Sequence, residues 1–221
     1  MGCRLLRIPT HIPVPYYAQV ASPEWAEAVF ERGTPAAGDP AWRTWGFADP
    51  EQYAYWCERA CGVVCVKMCC EAFGGPALPV SEWVSRALAL DGYEIRAGED
   101  GRTVENGWRH QALADLLRGA GLSAECGSAN PEQVASILAG GDLVIASVSY
   151  ELGTHRPVTR RSGHLVVVLG SELAAGDLRG FILHNPSGRT AALRENARID
   201  AGRFSQGFSG RIIRVGGPRD R

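Results

Sequence analysis

Three short stretches of this chain carry residue types that can perform nucleophilic chemistry. The first is Cys61-Gly62, which opens a run free of helix breakers. If a helix starts there, the sulfur lies among unpaired backbone N–H groups at the positive end of the helix dipole. That setting lowers a thiol's pKa and favours the nucleophilic thiolate. The alternative is that Cys61 only belongs to the stripe Cys57, Cys61, Cys65, Cys69, spaced i, i+4, in which cysteine serves as a small buried hydrophobe. The stripe also invites a metal reading. Zinc sites, however, draw on Cys pairs two to four residues apart with further ligands elsewhere, and one helix face cannot wrap an ion. No metal and no cofactor are expected.

The second stretch is Ser162-Gly163-His164-Leu165-Val166-Val167-Val168-Leu169. His164 opens an apolar strand directly after a glycine, so its ring can face a cleft while the strand is anchored in the core. A histidine at a strand end is also an ordinary structural residue. Among the other histidines, His11 lies in an N-terminal arm, His110 at a helix start beside Arg109, and His155 in a polar loop. His184 would point away from Asn185 if both share a strand, because neighbours alternate faces. The third stretch is His184-Asn185-Pro186-Ser187-Gly188. Asn before Pro is common turn chemistry. Alternatively, Asn185 accepts a hydrogen bond from one imidazole nitrogen of His164 and fixes the tautomer so that the other nitrogen faces the thiol. The chain order Cys, His, Asn is one that a nucleophile, base and orienting residue can take.

The elements that must position these residues follow from periodicity. Residues 61–73 are predicted to form a buried helix stopped by Gly74-Gly75-Pro76. A second helix begins at Ser81 with Trp83, Val84, Ala87 and Leu88 as its apolar face. A third runs from Gln111 to Gly121 around Leu113, Leu116 and Leu117, and a fourth from Pro131 to Ala139, ended by Gly140-Gly141. Then the texture changes to β-branched runs at 143–148, 164–169, 181–183 and 211–215, separated by Gly, Asp and Pro turns. Helices first and strands afterwards predict an α+β fold with a mostly antiparallel sheet. Residues 33–50 hold Pro35, Pro40, Pro50, Gly33, Gly38 and Gly46 and read as a long loop, packed onto something by Trp42 and Trp45.

Composition bounds the rest. The 221 residues are 45% hydrophobic and 21% charged, with a net charge of −1, which suits one globular domain spanning 1–221. So small a charge gives no whole-molecule field to gather nucleic acid. The longest apolar runs are strand length, far short of the roughly 20 residues that cross a bilayer, so no membrane partner is expected. Pro9 arrives before any long apolar segment, so no secretory signal is expected, and Leu6 stands where myristoylation wants Ser or Thr. A cytoplasmic location with reduced thiols follows for the seven cysteines. The loop from Gly153 to Ser162, with Arg156, Arg160 and Arg161, is a solvated loop or a site for an acidic group near His164. Nothing in the sequence sets an oligomeric state.

Four separated segments, in order, resemble the bacteriocin-processing (double-glycine leader) branch of papain-fold cysteine peptidases in a stand-alone form. Ala60-Cys61-Gly62-Val63-Val64-Cys65-Val66-Lys67-Met68 resembles the nucleophile helix of that branch. Val14-Pro15-Tyr16-Tyr17-Ala18-Gln19 resembles the strand that delivers an oxyanion-hole glutamine. Gly163-His164-Leu165-Val166 resembles the base strand, and Asn185-Pro186 stands where the branch commonly has Asp-Pro. The resemblance implies a papain-like fold whose N-terminal helical half carries Cys61 and packs against a C-terminal sheet carrying His164 and Asn185. It implies that Gln19 and the N–H of Cys61 stabilise an oxyanion, and that a Trp-rich insertion at about 22–56 folds back or flaps over the cleft. The implied activity is hydrolysis of a peptide or small amide substrate through an acyl-enzyme. Acyl transfer to an amine and a catalytically silent binding protein are the alternatives. Cys57 and Cys65 stand as rival nucleophiles.

Overall fold

The computed structural model describes residues 5–9, 12–97, 103–161 and 163–218, the first of these segments as backbone only. His11, Ser162 and the first four residues, on which some of the expectations above fall, lie outside them. The helices are α1 (Ala26–Arg32), α2 (Pro50–Cys57), α3 (Cys61–Ala72), α4 (Val80–Ala89), α5 (His110–Gly119), α6 (Pro131–Ala139) and α7 (Ala201–Gly207). The strands are β1 (Leu5–Pro9), β2 (Tyr93–Ala97), β3 (Thr103–Trp108), β4 (Ser123–Ser128), β5 (Leu143–Ser149), β6 (Gly163–Ala174), β7 (Asp177–His184), β8 (Ala197–Asp200) and β9 (Phe208–Gly216). No helix among the described residues is long and apolar enough to cross a membrane.

The β-branched runs form the middle of one sheet, ordered β4-β9-β5-β6-β7-β8, with β1 also paired to β6. Every pairing is antiparallel. Their unbroken hydrophobicity has a simple cause: both faces of the sheet are covered. On β6, Leu165, Val167 and Leu169 face a core shared with α3, α4 and α5, while Val166 and Val168 face a second core with α6 and α7. On β5, Leu143 and Ile145 join the first core and Val144, Ala146 and Val148 the second. Period-2 alternation thus divides one apolar strand between two interiors.

Helix α3 lies against β6. Its side chains from Val63 to Cys70 are buried on every face, as expected of a helix that is apolar all round. Even Lys67 is buried, held by Glu71 and the Leu78 carbonyl. The start of α3 is set by its neighbours rather than by a side-chain cap. The Trp108 indole N–H donates to the Arg59 carbonyl at 2.6 Å, pinning the turn between α2 and α3. Gly62 permits this, because a Cβ there would come within 2.8 Å of the Trp108 ring and 2.9 Å of Leu113.

The Trp-rich segment folds back onto the helical core. Trp45 packs edge-on against Tyr53 at 5.5 Å between ring centres. Asp39, buried at 1% exposure, accepts from Ser22 N–H at 3.0 Å, Ser22 O–H at 2.6 Å, Ala41 N–H at 2.9 Å and the Tyr53 hydroxyl. Burial alone would push the Asp39 carboxyl up; the hydrogen bonds from Ser22, Tyr53 and Ala41 outweigh it and hold it below its ordinary value.

Several local expectations need correction. Val14–Gln19 is extended but is not a strand. It is tied to the turn after β7 by the Gln19 N–H to the Pro186 carbonyl at 2.6 Å and by the Tyr16 hydroxyl to the Asn185 carbonyl at 3.1 Å. Leu88, expected on the apolar face of α4, is 44% exposed, because α4 buries only Val80, Trp83, Val84 and Ala87. The β2–β3 hairpin, β4, β8, α1, α2 and α7 had no counterpart in the periodicity analysis. Of β4 only Ala124 is buried, so its strand form derives from pairing with β9 and not from its own pattern.

The Asp39 cluster leads to a stability prediction. Asp39→Ala leaves buried donors unpaired and is expected to cost about 1–3 kcal/mol, lowering Tm by about 2–4 °C for each kcal/mol in a chain of this length. Because the folded carboxyl titrates below its unfolded value, the contribution is present above the unfolded pKa and fades as pH falls through the folded one. The Tm difference between wild type and Asp39→Asn should therefore shrink on acidification, measured by thermal unfolding across pH.

Candidate active site

Cys61, His164 and Gln19 line one cleft of about 450 Å³. Cys61 is the first residue of α3. Its sulfur interacts with the backbone N–H groups of Leu165, Gly62 and Cys61 itself. Cys61 shares the cleft with Gly163, His164 and Leu165 of β6, although more than a hundred positions separate it from that strand. Glycine-then-histidine works at this end of β6 because Gly163 takes φ +103°, in the region that favours glycine, while Val148 and Ser149 of β5 pair with His164 and Gly163.

The His164 ring is buried at 5% exposure, with Nε2 2.8 Å from Asn185 Oδ1. The Asn185 atom is identified as oxygen by a second contact: the backbone N–H of Ser187, which can only donate, reaches it at 3.1 Å. An amide oxygen only accepts, so Nε2 carries the ring proton and Nδ1 is the free basic nitrogen. Asn185 is fully buried and held through its backbone, its N–H on the Arg194 carbonyl and its carbonyl accepting from Gly188. The Asn185 amide Nδ2 has no hydrogen-bond partner among the described residues.

Sequence reasoning passed over Ser187. Its hydroxyl oxygen lies 3.0 Å from His164 Nε2 and 3.4 Å from Asn185 Oδ1, so His164 Nε2–H has two acceptors within reach. A small hydroxyl residue two positions after the orienting amide was the available signal, hidden because Ser is equally at home in any Asn-Pro turn. Gln19, 4% exposed, reaches the cleft with its Oε1 buried and without a partner among the described residues.

The electrostatics overturn one expectation. Burial pushes the Cys61 thiol up to about 11, although the N–H groups of Leu165, Gly62 and Cys61 pull the other way. Desolvation of the charged form outweighs the helix-end field. Burial likewise pushes His164 down to about 4, opposed by Asn185 and reinforced by the charge of Arg189. Between those values both groups are neutral, a thiol and an imidazole on one cleft.

The rival candidates stand elsewhere. Cys57 is fully buried, donates its S–H to the Ala54 carbonyl, and is pushed up to about 12 by burial. Cys65 is also fully buried, with its thiol driven well above the ordinary value. Neither lines the cleft. His184 is structural: Nε2 donates to the Val14 carbonyl at 3.0 Å and Nδ1 accepts the Asn196 N–H at 3.1 Å. His155 is exposed in its loop. In the 153–161 loop, Arg156 pairs with Glu31, Arg160 stacks on Tyr150, and neither reaches the cleft. The cleft wall instead includes Tyr93, Asn106 and Trp108 of the β2–β3 region, together with an Arg59–Glu105 pair joined by two hydrogen bonds of 2.8 and 2.9 Å. Trp25, Trp42, Trp45 and Trp56 do not line it. Among the described residues, no three His, Cys, Asp or Glu side chains converge to hold a metal ion.

Comparison with known proteins bears on the fold. No family model and no curated protein matches the chain. Solved structures do. The peptidase domain of Streptococcus ComA, a bi-functional ABC transporter involved in a quorum-sensing pathway, is 14% identical with a TM-score of 0.50; the match covers 73% of this chain and 93% of that one. A Bacillus anthracis protein described as a C39-like peptidase is 14% identical with a TM-score of 0.51, covering 74% of this chain and 91% of that one. At such identities the likeness is one of fold. The chain has the α+β, papain-like architecture of C39-like peptidase domains.

A neutral thiol has a measurable signature. Alkylation of Cys61 by iodoacetamide, located by peptide mapping, should be slower at pH 7 than that of a free cysteine. It should climb about tenfold per pH unit toward pH 11 as the thiolate fraction grows. A rate already at its plateau in mildly acid solution would mean a thiolate–imidazolium pair instead.

Proposed function

We propose that the chain is a papain-like cysteine hydrolase that cleaves a peptide or small amide bond through an acyl-enzyme. The observation that carries this reading is the convergence of three residues on one cleft: Cys61 at the start of α3, His164 with its Nε2–H committed to Asn185, and Gln19 with its partnerless amide oxygen. The Cys61 sulfur attacks the carbonyl carbon as its proton passes to His164 Nδ1. The oxyanion is received by the Cys61 N–H and the Gln19 amide, which presents its nitrogen after a flip of the side-chain amide. Collapse expels the amine, which takes the proton back from Nδ1 and leaves a thioester on Cys61. Water then adds, giving its proton to Nδ1, and the acid departs as the proton returns to the sulfur.

A neutral resting pair suits this sequence. The thiol is not ionised beforehand, so proton transfer accompanies attack, and the charge formed on His164 is met by Asn185 and Ser187. Asn185 is an orienting residue and Ser187 a second one acting on the same Nε2–H. Water is taken as the acceptor in this reading; the tryptophans of the Trp-rich segment do not line the cleft, although Phe30 of that segment does. The raised thiol also favours a second reading, a binding protein that has kept the fold without turnover.

Turnover decides between them. In a fluorogenic peptide-library screen, wild-type protein should cleave at least one sequence and Cys61→Ala none, with a thioester on Cys61 trapped by acid quench and seen by mass spectrometry. Equal signals from both proteins would refute the hydrolase, and amide products formed with added amines would shift it to acyl transfer. Gln19→Ala should lower kcat by about 10²–10³ with little change in KM. Ser187→Ala and Asn185→Ala should each displace the acid limb of the kcat/KM–pH profile. Their double variant should lose more than the sum of the two in free-energy terms, because each leaves the other to hold Nε2–H.

A further inference from the structure

In the sheet order β9-β5-β6, strand β9 lies on the far side of β5 from the strand that bears His164. Where β5 and β9 pair, the register slips. Ala146 faces Ile212 and Val148 faces Phe208, so Ser209, Gly210 and Arg211 all stand against Ser147. The irregularity is held firmly: Ser209 Oγ donates to the Ser147 carbonyl at 3.0 Å and accepts the Arg211 N–H at 3.2 Å. Gly210 takes φ +85°, which favours glycine. Bulges of this kind re-aim side chains beside functional sites, and this one sets Arg211 on the wall of the same cleft as Cys61.

The other guanidinium groups of the cleft have carboxylate partners. Arg59 is tied to Glu105, with Glu58 3.7 Å away, and Arg189 is paired with Glu31. Arg211 has no carboxylate partner among the described residues. Beside it on the cleft stands His110, the first residue of α5, whose Nε2 is buried with no hydrogen-bond partner among the described residues. Burial and the charge of Arg211 hold that imidazole below its ordinary pKa. Arg211 is an exposed cation without a carboxylate partner on the cleft wall, and in its Nε2–H tautomer His110 adds a partnerless donor on the same wall, so the pair suits an oxygen anion that accepts from both.

We propose that Arg211 and His110 form a carboxylate-binding subsite of the cleft, so that the substrate is an acyl compound carrying an acidic side chain or a chain-terminal carboxylate beside the bond that is cleaved. The proposal rests on the hydrolase reading for its consequence but not for its test. In the full-length protein, Cys61 alkylation by iodoacetamide is timed by peptide mass mapping at pH 8.5. Three millimolar competitors are used: acetyl-glutamate α-amide, acetylglycine and the neutral acetyl-glutamine α-amide. At least one of the anions should slow modification several-fold while the neutral amide does not, and the anion that protects identifies a side-chain or a terminal carboxylate. The protection ratio within each variant should fall several-fold in Arg211→Gln and persist in Arg211→Lys, with circular dichroism confirming that both fold. Equal protection by the neutral amide, protection by neither anion, or protection unchanged in Arg211→Gln overturns the subsite. Protection without any Cys61-dependent turnover would instead leave the subsite standing and remove the hydrolase.

Discussion

The candidate site depends on one contact, the hydrogen bond from His164 Nε2 to Asn185 Oδ1. It decides which imidazole nitrogen is basic and fixes the ring in a pocket where the histidine is almost wholly buried. Much of the surrounding chain serves to hold its acceptor. The turn after β7 is fastened by the Arg194 carbonyl, by the Tyr16 hydroxyl and by the backbone of Gln19 on Pro186. The same fastening brings Gln19 to the cleft, so orienting His164 and placing Gln19 are two results of one local structure.

Desolvation sets the chemistry on both sides of that contact. It pushes the thiol up and the imidazole down, against the pull of the backbone N–H groups on the sulfur and of Asn185 on the ring. A helix N-terminus contributes a partial charge that acts over the first turn, whereas packing α3 against β6 desolvates the partly buried Cys61. The second effect is larger here. An acyl-transfer cycle beginning from such a pair keeps both groups uncharged until a carbonyl arrives and shifts the proton only when a bond to carbon forms with it.

The walls of the cleft come from elements with little burial of their own. The β2–β3 hairpin exposes Ile95 and Val104, yet its last residue, Trp108, rests over Gly62 and holds the Arg59 carbonyl beside the start of α3. The bulge of β9 is likewise a local departure from regular pairing that turns a side chain toward the cleft. Regular sheet and helix supply most of the cleft lining, and irregular segments add Gln19, Arg59 and Ser187 to it.

Helix α3 was legible in the sequence because the absence of breakers from Val63 to Phe73 and the i, i+4 apolar spacing are local properties. So were the apolar runs at 143–148 and 164–169 within β5 and β6, whose β-branched residues suit burial on both faces, and the order of Cys61, His164 and Asn185 along the chain. The polar strands β2, β3 and β4 were not legible, because their conformation comes from a partner strand and not from their own pattern. Nor was Ser187 beside His164, or Arg211 turned into the cleft by a register slip. The protonation of Cys61 was misjudged for the same reason. Periodicity and propensity act between residues a few positions apart, while desolvation and hydrogen-bond pairing depend on whatever the folded chain brings within a few ångströms, and here that partner lay more than a hundred residues away.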